Sequence, residues 1–409
     1  MPPVFVVFAS QTGFAEYIAE QTASALETAG RPVRLVSLGD LDAKELAAAE
    51  QALFLVSTTG DGDAPDAAMT FQRRTMRAAV PLRGLHYGFL AFGDQAYEHY
   101  CGFGRALDTW LAAQGATRLF DAIDVDDANE HALARWRFQV ALLCNNGVTL
   151  DWTAPAVSEW TLAERTLLNA DSPGAGAYHI ALTPPAGVVP VWSAGDIAAI
   201  QPQSTAGTDV TPRDYSIGSL PTDGRIELLV RRIMHPDGTL GQGSGWLTQH
   251  AEIGATIALR LRENRNFHGP ADNRPLILIG NGTGIAGLRA HIKARAARGQ
   301  NRNWLLFGER MRAHDFHYRS EIESWRDNHV LQRLDLAFSR DQAERVYVQD
   351  LVRASPSAVQ RWIEDGAAIY VCGSADGMAG GVDAALAEIV GRAALDALAE
   401  AGRYRRDVY

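Results

Sequence analysis

The sequence predicts an α/β multidomain protein in which a doubly wound domain is followed by an antiparallel β-barrel and a second α/β domain. Three observations predict this. Short apolar segments alternate with amphipathic helical patterns over residues 1–145, give way to short strands separated by turns over 161–270, and alternate again over 271–409. A chain of 409 residues also exceeds what one hydrophobic core ordinarily serves.

The first domain is predicted from five strands and four helices in alternation, which indicates a parallel sheet covered on both faces. Five strands fit the flavodoxin-like doubly wound order, in which ligands bind at the carboxyl ends of the strands. The predicted strands are 4–9, 33–37, 52–57, 86–92 and 117–120, and the predicted helices lie near 14–29, 67–79, 101–114 and 128–143.

Residues 146–160 lose this pattern and contain Asn-Gly and Ala-Pro pairs, which predicts a linker. Strands at 177–183, 225–231 and 256–261 predict the antiparallel barrel. The last domain is expected to contain strands at 275–280, 303–307, 331–336 and 367–372.

Composition excludes several classes of protein. Hydrophobic residues make up 47% and charged residues 21%, and no apolar run reaches the roughly 18 residues of a membrane span. No secretory signal is evident and the three cysteines are far apart, so we expect a cytoplasmic protein without disulfides or a metal site. Of the net charge of -10, residues 1–150 carry -7, from 11 basic and 18 acidic residues. This balance argues against nucleic acid binding and fits either a basic protein partner or an ordinary acidic surface.

Three loops of the first domain follow predicted strands, so they are expected to share one edge of the sheet. The first opens a helix, where backbone N–H groups and the helix dipole favour a phosphate, although Ser10 or Thr12 could simply cap that helix. The second is glycine-rich, and the third ends in an aromatic residue that can stack on a ring. One phosphate loop and two ring-embracing loops predict an FMN site, with the candidate residues Ser10, Gln11, Thr12, Gly13, Phe14, Ala15, Ser57, Thr58, Thr59, Gly60, Gly93, Asp94 and Tyr97.

Further motifs follow in the barrel and the last domain. An Arg213-Asp214-Tyr215-Ser216 segment precedes a loop containing Gly243, Ser244, Gly245 and Trp246. A turn with Gly282, Thr283 and Gly284 follows a predicted strand. A polar segment then contains Ser339, Arg340, Arg345, Tyr347 and Gln349, and Cys372, Asp407 and Tyr409 come after it.

Over nearly the whole chain these motifs resemble those of the diflavin reductases, and most of all the flavoprotein subunits of sulfite reductases. The resemblance implies that Arg213 binds the FAD pyrophosphate, that Tyr215 stacks on the isoalloxazine, and that Ser216 lies near its reactive nitrogen. It assigns the loop at 243–246 to the same pyrophosphate and the turn at 282–284 to the pyrophosphate of NADPH.

The resemblance also implies that Ser339, Arg340, Arg345 and Tyr347 bind the adenosine 2′-phosphate, with Gln349 in the same motif, which selects NADPH over NADH. Cys372 and Asp407 are expected to flank the nicotinamide, and Tyr409 to cover the FAD ring until NADPH displaces it. Ser216, Cys372, Asp407 and Tyr409 are therefore the candidate catalytic residues.

The expected function is electron transfer from NADPH through FAD and FMN to an acceptor protein that docks at the acidic FMN domain, near Asp124, Asp126 and Asp127. Two alternatives are a reductase of small acceptors such as ferric chelates or quinones, and a flavin-binding redox sensor without turnover. Two departures from the family are important. Only nine residues separate Gln203 from Arg213, where larger relatives insert a helical connecting domain, and Thr59 stands where the microsomal-type relatives have an aromatic residue.

Overall fold

The computed structural model describes residues 2–11, 13–95, 97–126, 129–144, 157–203 and 212–409. The chain divides into two compact units, Met1–Ala154 (unit 1) and Pro155–Tyr409 (unit 2). Most of the predicted linker, residues 146–156, lies outside the described residues, whereas residues 158–160 begin a strand.

Unit 1 contains a parallel sheet whose strand order is β2-β1-β3-β4-β5, with β6 also paired to β4. This confirms the predicted flavodoxin-like order. The central strands are buried on both faces, which explains their nearly continuous apolar sequence. The strands are β1 Val4–Ala9, β2 Val33–Ser37, β3 Gln51–Ser57, β4 His86–Gly93, β5 Thr117–Arg118 and β6 Ile123–Asp126, and the helices are α1 Phe14–Thr28, α2 Ala43–Ala48, α3 Met69–Arg74, α4 Gly102–Ala113 and α5 Glu130–Leu143.

Three elements of unit 1 differ from prediction. The strand predicted at 117–120 covers only the two-residue β5, and β6, which also pairs with β4, was not predicted. Arg118, the last residue of β5, pairs with the buried Asp108, and the apolar residues of β6 resume the sheet. The helix predicted over 67–79 covers only α3, and α2 was not predicted because six residues show little helical periodicity.

Unit 2 begins with a six-stranded antiparallel sheet in the order β10-β9-β12-β7-β8-β11. Its inner face is an apolar core that includes Trp160, Leu182 and Ile257. The two end strands, β10 and β11, line a common cavity. The strands are β7 Ser158–Leu167, β8 Ala177–Thr183, β9 Ile197–Gln201, β10 Arg213–Ser216, β11 Ile226–Arg231 and β12 Thr256–Arg262, and the short helix α6 is Gln242–Gly245.

The rest of unit 2 is a parallel sheet in the order β15-β14-β13-β16-β17, flanked by helices. Its edge strand β17 was not predicted, because its sequence Tyr-Arg-Arg-Asp-Val is too polar to resemble a buried strand. The strands are β13 Leu276–Asn281, β14 Asn303–Glu309, β15 Arg333–Phe338, β16 Ala368–Gly373 and β17 Tyr404–Val408, and the helices are α7 Ile285–Ala297, α8 Arg312–Asp315, α9 Arg319–Asp327, α10 Val348–Arg353, α11 Pro356–Glu364, α12 Gly380–Val390 and α13 Arg392–Glu400.

Within the described ranges, no helix is both long and apolar enough to cross a membrane. The same ranges contain no cluster of three or more His, Cys, Asp or Glu side chains that could hold a metal ion.

Candidate functional site

Three buried side chains from distant parts of the sequence meet in unit 2. Ser216, at the end of β10, donates a hydrogen bond from Oγ to Oδ2 of Asp407, at 2.7 Å. The thiol of Cys372 donates to the same oxygen at 3.7 Å. Cys372 and Asp407 are paired in the parallel register of β16 and β17, so the sheet itself sets their separation. The structure thus brings together three of the four candidate catalytic residues.

The electrostatics of this group follow from its burial. Burial raises the pKa of the Asp407 carboxyl to about 6, and the hydrogen bonds from Ser216 and Cys372 partly offset that rise. Burial, together with the neighbouring Asp407, raises the pKa of the Cys372 thiol well above its usual value. Cys372 is therefore a neutral thiol at physiological pH, and not a thiolate nucleophile. The group presents one titratable carboxyl flanked by two neutral donors.

Tyr409 lies beside this group and is anchored by its backbone. Its N–H donates to the carbonyl of Gly373 at 3.1 Å, and its carbonyl accepts from the N–H of Ala375 at 3.0 Å. The phenol and the hydroxyl of Thr283 lie within hydrogen-bonding distance, 3.3 Å apart. Tyr409 is 51% exposed and lines two cavities, one on each side.

The first cavity, of about 300 Å³, lies between the end strands of the antiparallel sheet and α6. Gly243 marks its tightest point, because a Cβ there would lie 2.7 Å from Cγ of Arg213 and 2.8 Å from the Tyr215 hydroxyl. The predicted FAD residues that line this cavity are Arg213, Tyr215, Ser216, Gly243 and Ser244.

Two predicted FAD residues do not line it. Gly245 packs against Leu240, whose Cβ would lie 2.6 Å from a Cβ at position 245. Trp246 is buried in the core of the antiparallel sheet. Neither residue lines the cavity, so the glycine and the tryptophan at these positions are explained by packing around α6.

The second cavity, of about 660 Å³, lies at the carboxyl ends of the strands of the parallel sheet, beside the turn after β13. The Oε1 atom of Gln349 is buried and has no hydrogen-bond partner among the described residues, as expected of an acceptor that faces a ligand site. The predicted NADPH residues that line this cavity are Gly282, Thr283, Ser339, Arg340, Arg345, Tyr347 and Gln349.

Gly284, also predicted to bind NADPH, is not in that lining. A Cβ at this position would lie 2.1 Å from the carbonyl oxygen of Cys372. Glycine is required here because the start of α7 packs directly on β16, which is the structural reason for glycine in such turns.

Sequence reasoning missed Arg231 and Glu309. Arg231, the last residue of β11, lines both cavities and forms an ion pair with Glu309 at the end of β14. His317 lies behind this pair, with Nε2 3.4 Å from Glu309 Oε1. Although burial opposes it, hydrogen bonding by His317 and the charge of Arg231 hold the pKa of Glu309 below its usual value. A single arginine at the end of a strand belongs to no recognisable sequence motif, so Arg231 is identified as a site residue only from the structure.

In unit 1 the predicted phosphate loop follows β1. Ser10 Oγ accepts a hydrogen bond from the Gly13 N–H at 2.8 Å, so Ser10 closes the turn before α1. Gln11 joins this loop to the loop after β3: its N–H donates to Ser57 Oγ at 3.1 Å, and its Oε1 accepts from the Asp66 N–H at 2.9 Å. Thr12 lies outside the described residues. Phe14 and Ala15 pack their side chains into the core, so their contribution to a ligand is limited to the backbone.

The loop after β3 contains two buried side-chain hydroxyls that are suited to a polar ligand. The hydroxyls of Thr58 and Thr59 are buried and have no hydrogen-bond partner among the described residues. Buried hydroxyls are normally paired, so two adjacent ones without protein partners fit a polar ligand. Gly60, with φ of 54°, turns the chain between Thr59 and Asp63, which exchange two backbone hydrogen bonds of 2.9 Å.

The loop after β4 lies next to the loop after β3. His99 in this loop pairs with Asp61 of the preceding loop, with Nδ1 and Oδ2 3.0 Å apart, so the two loops are tied together. Gly93 is required by packing, because a Cβ would lie 2.7 Å from the backbone nitrogen of Cys101. The Tyr97 N–H donates to the carbonyl of Asp94, and Tyr97 is 45% exposed.

The predicted acidic edge of unit 1 is partly neutralised. Arg105 pairs with Asp124 at 2.8 Å, and Asp126 Oδ1 accepts a hydrogen bond from the Gln95 N–H at 3.0 Å. Asp127 lies outside the described residues.

Two family models match the chain, one within each unit. Residues 6–138 match the flavodoxin family model, and residues 278–384 match the model of the oxidoreductase NAD-binding domain. Both matched regions contain loops of the candidate site.

Curated relatives match nearly the whole chain. The sulfite reductase [NADPH] flavoprotein alpha-component of Vibrio parahaemolyticus is 30% identical, with 99% of this chain and 86% of the relative covered. The proteins of the same name from Vibrio vulnificus and Klebsiella pneumoniae are both 29% identical, with 87% and 90% of their lengths covered. The Vibrio vulnificus alignment spans 536 positions, more than the 409 residues of this chain, so the relative contains segments that this chain lacks.

Proposed function

The chain belongs to the family of diflavin reductases that includes the sulfite reductase flavoprotein alpha-components, and from this membership we propose how its two units divide the work. Unit 2 binds NADPH and FAD and carries out hydride transfer. Unit 1 binds FMN and delivers electrons to an acceptor protein. FAD supplies the step from a two-electron hydride to single electrons, and the protein orients the cofactors and sets their surroundings.

The observation that carries this proposal is the meeting of Ser216, Cys372 and Asp407 in unit 2. Ser216 lines the first cavity, and the second is lined by Ser374 and Tyr409, which lie two residues beyond Cys372 and Asp407. The first cavity offers Arg213 for a pyrophosphate and Tyr215 for a flat ring, and the second offers Arg340 and Arg345 for a dianionic phosphate. A hydride donor in one and an acceptor in the other would react next to the Asp407 carboxyl.

Within this site each side chain has a distinct task. Ser216 and Cys372 hold Asp407 by two hydrogen bonds. An ionised Asp407 stabilises the positive charge that develops on the nicotinamide as hydride leaves. Tyr409 lines both cavities, and its ring would have to turn aside for a nicotinamide to reach a flavin bound in the first. Its backbone hydrogen bonds keep the residue in place while the ring rotates.

Unit 1 fits FMN through the loops after β1, β3 and β4. The turn closed by Ser10 is suited to the phosphate. The hydroxyls of Thr58 and Thr59, which have no partner in the described part of the chain, supply two donors. The exposed ring of Tyr97 offers a stacking surface. Thr59 has no aromatic ring to offer the flavin on its side.

For the acceptor we propose a separate haem-containing subunit, since the relatives are named as one component of a sulfite reductase. The net charge of -7 over residues 1–150 favours a basic docking surface on that partner. Because Arg105 already pairs with Asp124, we expect the attraction to be spread over unit 1. Acceptor reduction should therefore slow as ionic strength rises, while reduction of FAD by NADPH should barely change.

One experiment tests the proposal. Protein reconstituted with both flavins should contain FMN and FAD in equal amounts, and anaerobic NADPH should bleach FAD first and FMN afterwards. Turnover with a haem-containing sulfite reductase subunit should exceed turnover with ferric chelates or quinones at equal enzyme. A single bound flavin, or flavins that NADPH does not reduce, would contradict the proposal.

A further inference from the structure

A buried arginine outside the two cavities connects the halves of unit 2. Arg289 lies on α7 and is only 7% exposed. Its Nη1 donates to the carbonyl of Gly218 at 2.8 Å and to Oε2 of Glu227 at 2.6 Å. Its Nη2 donates to Oε1 of Glu321 at 3.2 Å, and its Nε pairs with the other oxygen of the same carboxylate. The guanidinium also lies 4.7 Å from the centre of the Tyr318 ring.

These contacts join the segments that carry the two cofactor sites. Gly218 follows Ser216 by two residues, and Glu227 lies on β11, which lines the first cavity. Glu321 lies on α9, in the parallel-sheet half. Arg289 itself belongs to the helix that begins at the turn lining the second cavity.

Helix α7 also packs against the buried group of Ser216, Cys372 and Asp407. A Cβ at Gly287 would lie 3.2 Å from Sγ of Cys372 and 3.5 Å from Cβ of Ser216. Gly287 and Arg289 are two residues apart on α7, so only about half a helical turn separates this contact from the ion-pair network. A shift of Arg289 relative to Gly218 would move the start of α7 relative to Ser216.

Neighbours of opposite charge keep Arg289 and Glu227 in their charged forms. Burial opposes charge on Arg289, but the hydrogen bond and charge of Glu321 raise its pKa above the usual value. Burial likewise opposes ionisation of Glu227, but the hydrogen bond and charge of Arg289 hold its pKa below the usual value. A planar guanidinium that serves two carboxylates and one carbonyl has few alternative arrangements, which makes it a rigid link.

We propose that Arg289 is a positioning residue for hydride transfer, which fixes the segment after Ser216 against the nicotinamide-binding half of unit 2. The inference rests on the proposed function and concerns distance between donor and acceptor. Misplacement of reacting groups by about 1 Å can slow a reaction by about 100-fold. Arg289 touches neither cavity, so its loss should leave NADPH binding nearly unchanged while hydride transfer slows.

An open cavity of about 380 Å³ beside the network makes a rescue experiment possible. Arg289, Glu227, Glu321 and Tyr318 line it. In Arg289→Ala, free guanidinium ion could enter this space and bridge the same two carboxylates. A matched control is Arg319→Ala, because Arg319 lines the same cavity but is largely exposed and pairs with Glu323 on its own helix.

The test measures single-turnover flavin reduction by NADPH and by NADPH deuterated at the transferred position. For Arg289→Ala we expect hydride transfer about 100-fold slower, a dissociation constant for NADPH within about threefold of wild type, and a larger deuterium isotope effect. Millimolar guanidinium should restore at least tenfold of the rate, Arg289→Lys should be intermediate, and Arg319→Ala should behave as wild type.

A wild-type hydride-transfer rate in folded, flavin-loaded Arg289→Ala would overturn the inference, as would a loss that guanidinium does not restore. If Arg289→Ala does not fold, Arg289→Lys and Glu321→Gln decide in the same way, by a slower step with unchanged NADPH binding or by no change. Failure of the wild-type protein to be reduced by NADPH would instead overturn the proposed function, and the inference with it.

Discussion

The two units build their candidate sites from different material. In unit 1 the site consists of loops that follow three neighbouring strands, and its hydrogen bonds involve mainly loop backbone and hydroxyls such as Ser10 and Ser57. In unit 2 the central contact joins two buried side chains that lie 191 residues apart in sequence.

The difference predicts how each site fails. In a site made of loops, each substitution removes one hydrogen-bond donor, because each residue contacts a partly exposed ligand nearly independently of the others. A buried carboxyl with two donors acts as a unit, so removing one member leaves the others desolvated and unmatched. Substitutions within the Ser216–Cys372–Asp407 group should therefore have larger effects than substitutions in the loops of unit 1.

The largest effect is expected for Asp407→Asn, which keeps the shape and removes the charge. Hydride transfer to FAD should fall by about 100-fold, the size typical of losing one preorganised electrostatic stabiliser. In the wild-type protein the rate should rise with pH through about 6, because the pKa of Asp407 is raised to about 6 and the carboxylate is the active form. Stopped-flow reduction between pH 5 and 8 measures both. A pH profile shared by wild type and variant would refute this role of Asp407.

A smaller effect is expected for Arg340→Ala combined with Arg345→Ala. The NADPH Michaelis constant should rise roughly 10- to 100-fold, since charged hydrogen bonds to the 2′-phosphate are lost, while that for NADH changes little. Steady-state kinetics with both cofactors test this. Equal losses for NADPH and NADH would mean that these arginines do not recognise the phosphate.

In unit 1, Thr58→Val and Thr59→Val should each weaken FMN binding by roughly tenfold, because each removes one buried donor to a polar ligand. FAD content should stay unchanged. Thr109→Val is a suitable control, since its hydroxyl is exposed and bonds only to the Arg105 carbonyl of its own helix. Flavin release from each variant can be measured by fluorescence. Equal FMN release from all three variants would contradict the assignment of Thr58 and Thr59 to the FMN site.

The smallest effect is expected for Tyr409→Ala. Its ring competes with the nicotinamide, which both cofactors share, so removing it should favour NADH and lower the NADPH preference by roughly two- to tenfold, the worth of one aromatic contact. Tyr409→Phe keeps the ring and loses only the phenol hydroxyl, which interacts with Thr283 and Ser216, so it should retain the wild-type preference. An unchanged preference in Tyr409→Ala would exclude the shielding role.

Sequence patterns predicted the architecture of both units because it rests on periodicity. The fold of unit 1 follows from buried strands such as β3 and β4, whose apolar runs are unambiguous. Strand β17 escaped prediction because an edge strand with four polar or aromatic residues has no such run. Strand β6 escaped prediction because it has only four residues, of which two are aspartates.

The residues of the candidate sites likewise fall into those that the sequence predicts and those that it does not. Residues within a motif, such as Arg213 and Tyr215, could be found because their spacing is local. Arg231 and Glu309 could not, because each is a single charged residue at the end of a strand and their pairing exists only in the folded protein. Gly284 was assigned to the ligand, although in the structure its lack of a side chain serves the contact between α7 and β16.

The position of β17 at the edge of its sheet ties the site to local unfolding. Only β16 pairs with this strand among the described strands, so its detachment requires fewer hydrogen bonds to break than the opening of any central strand. Detachment would remove Asp407 and Tyr409 together. The fraction of molecules able to react is therefore limited by the opening equilibrium of five residues, and amide hydrogen exchange along Tyr404–Val408 would report that limit directly.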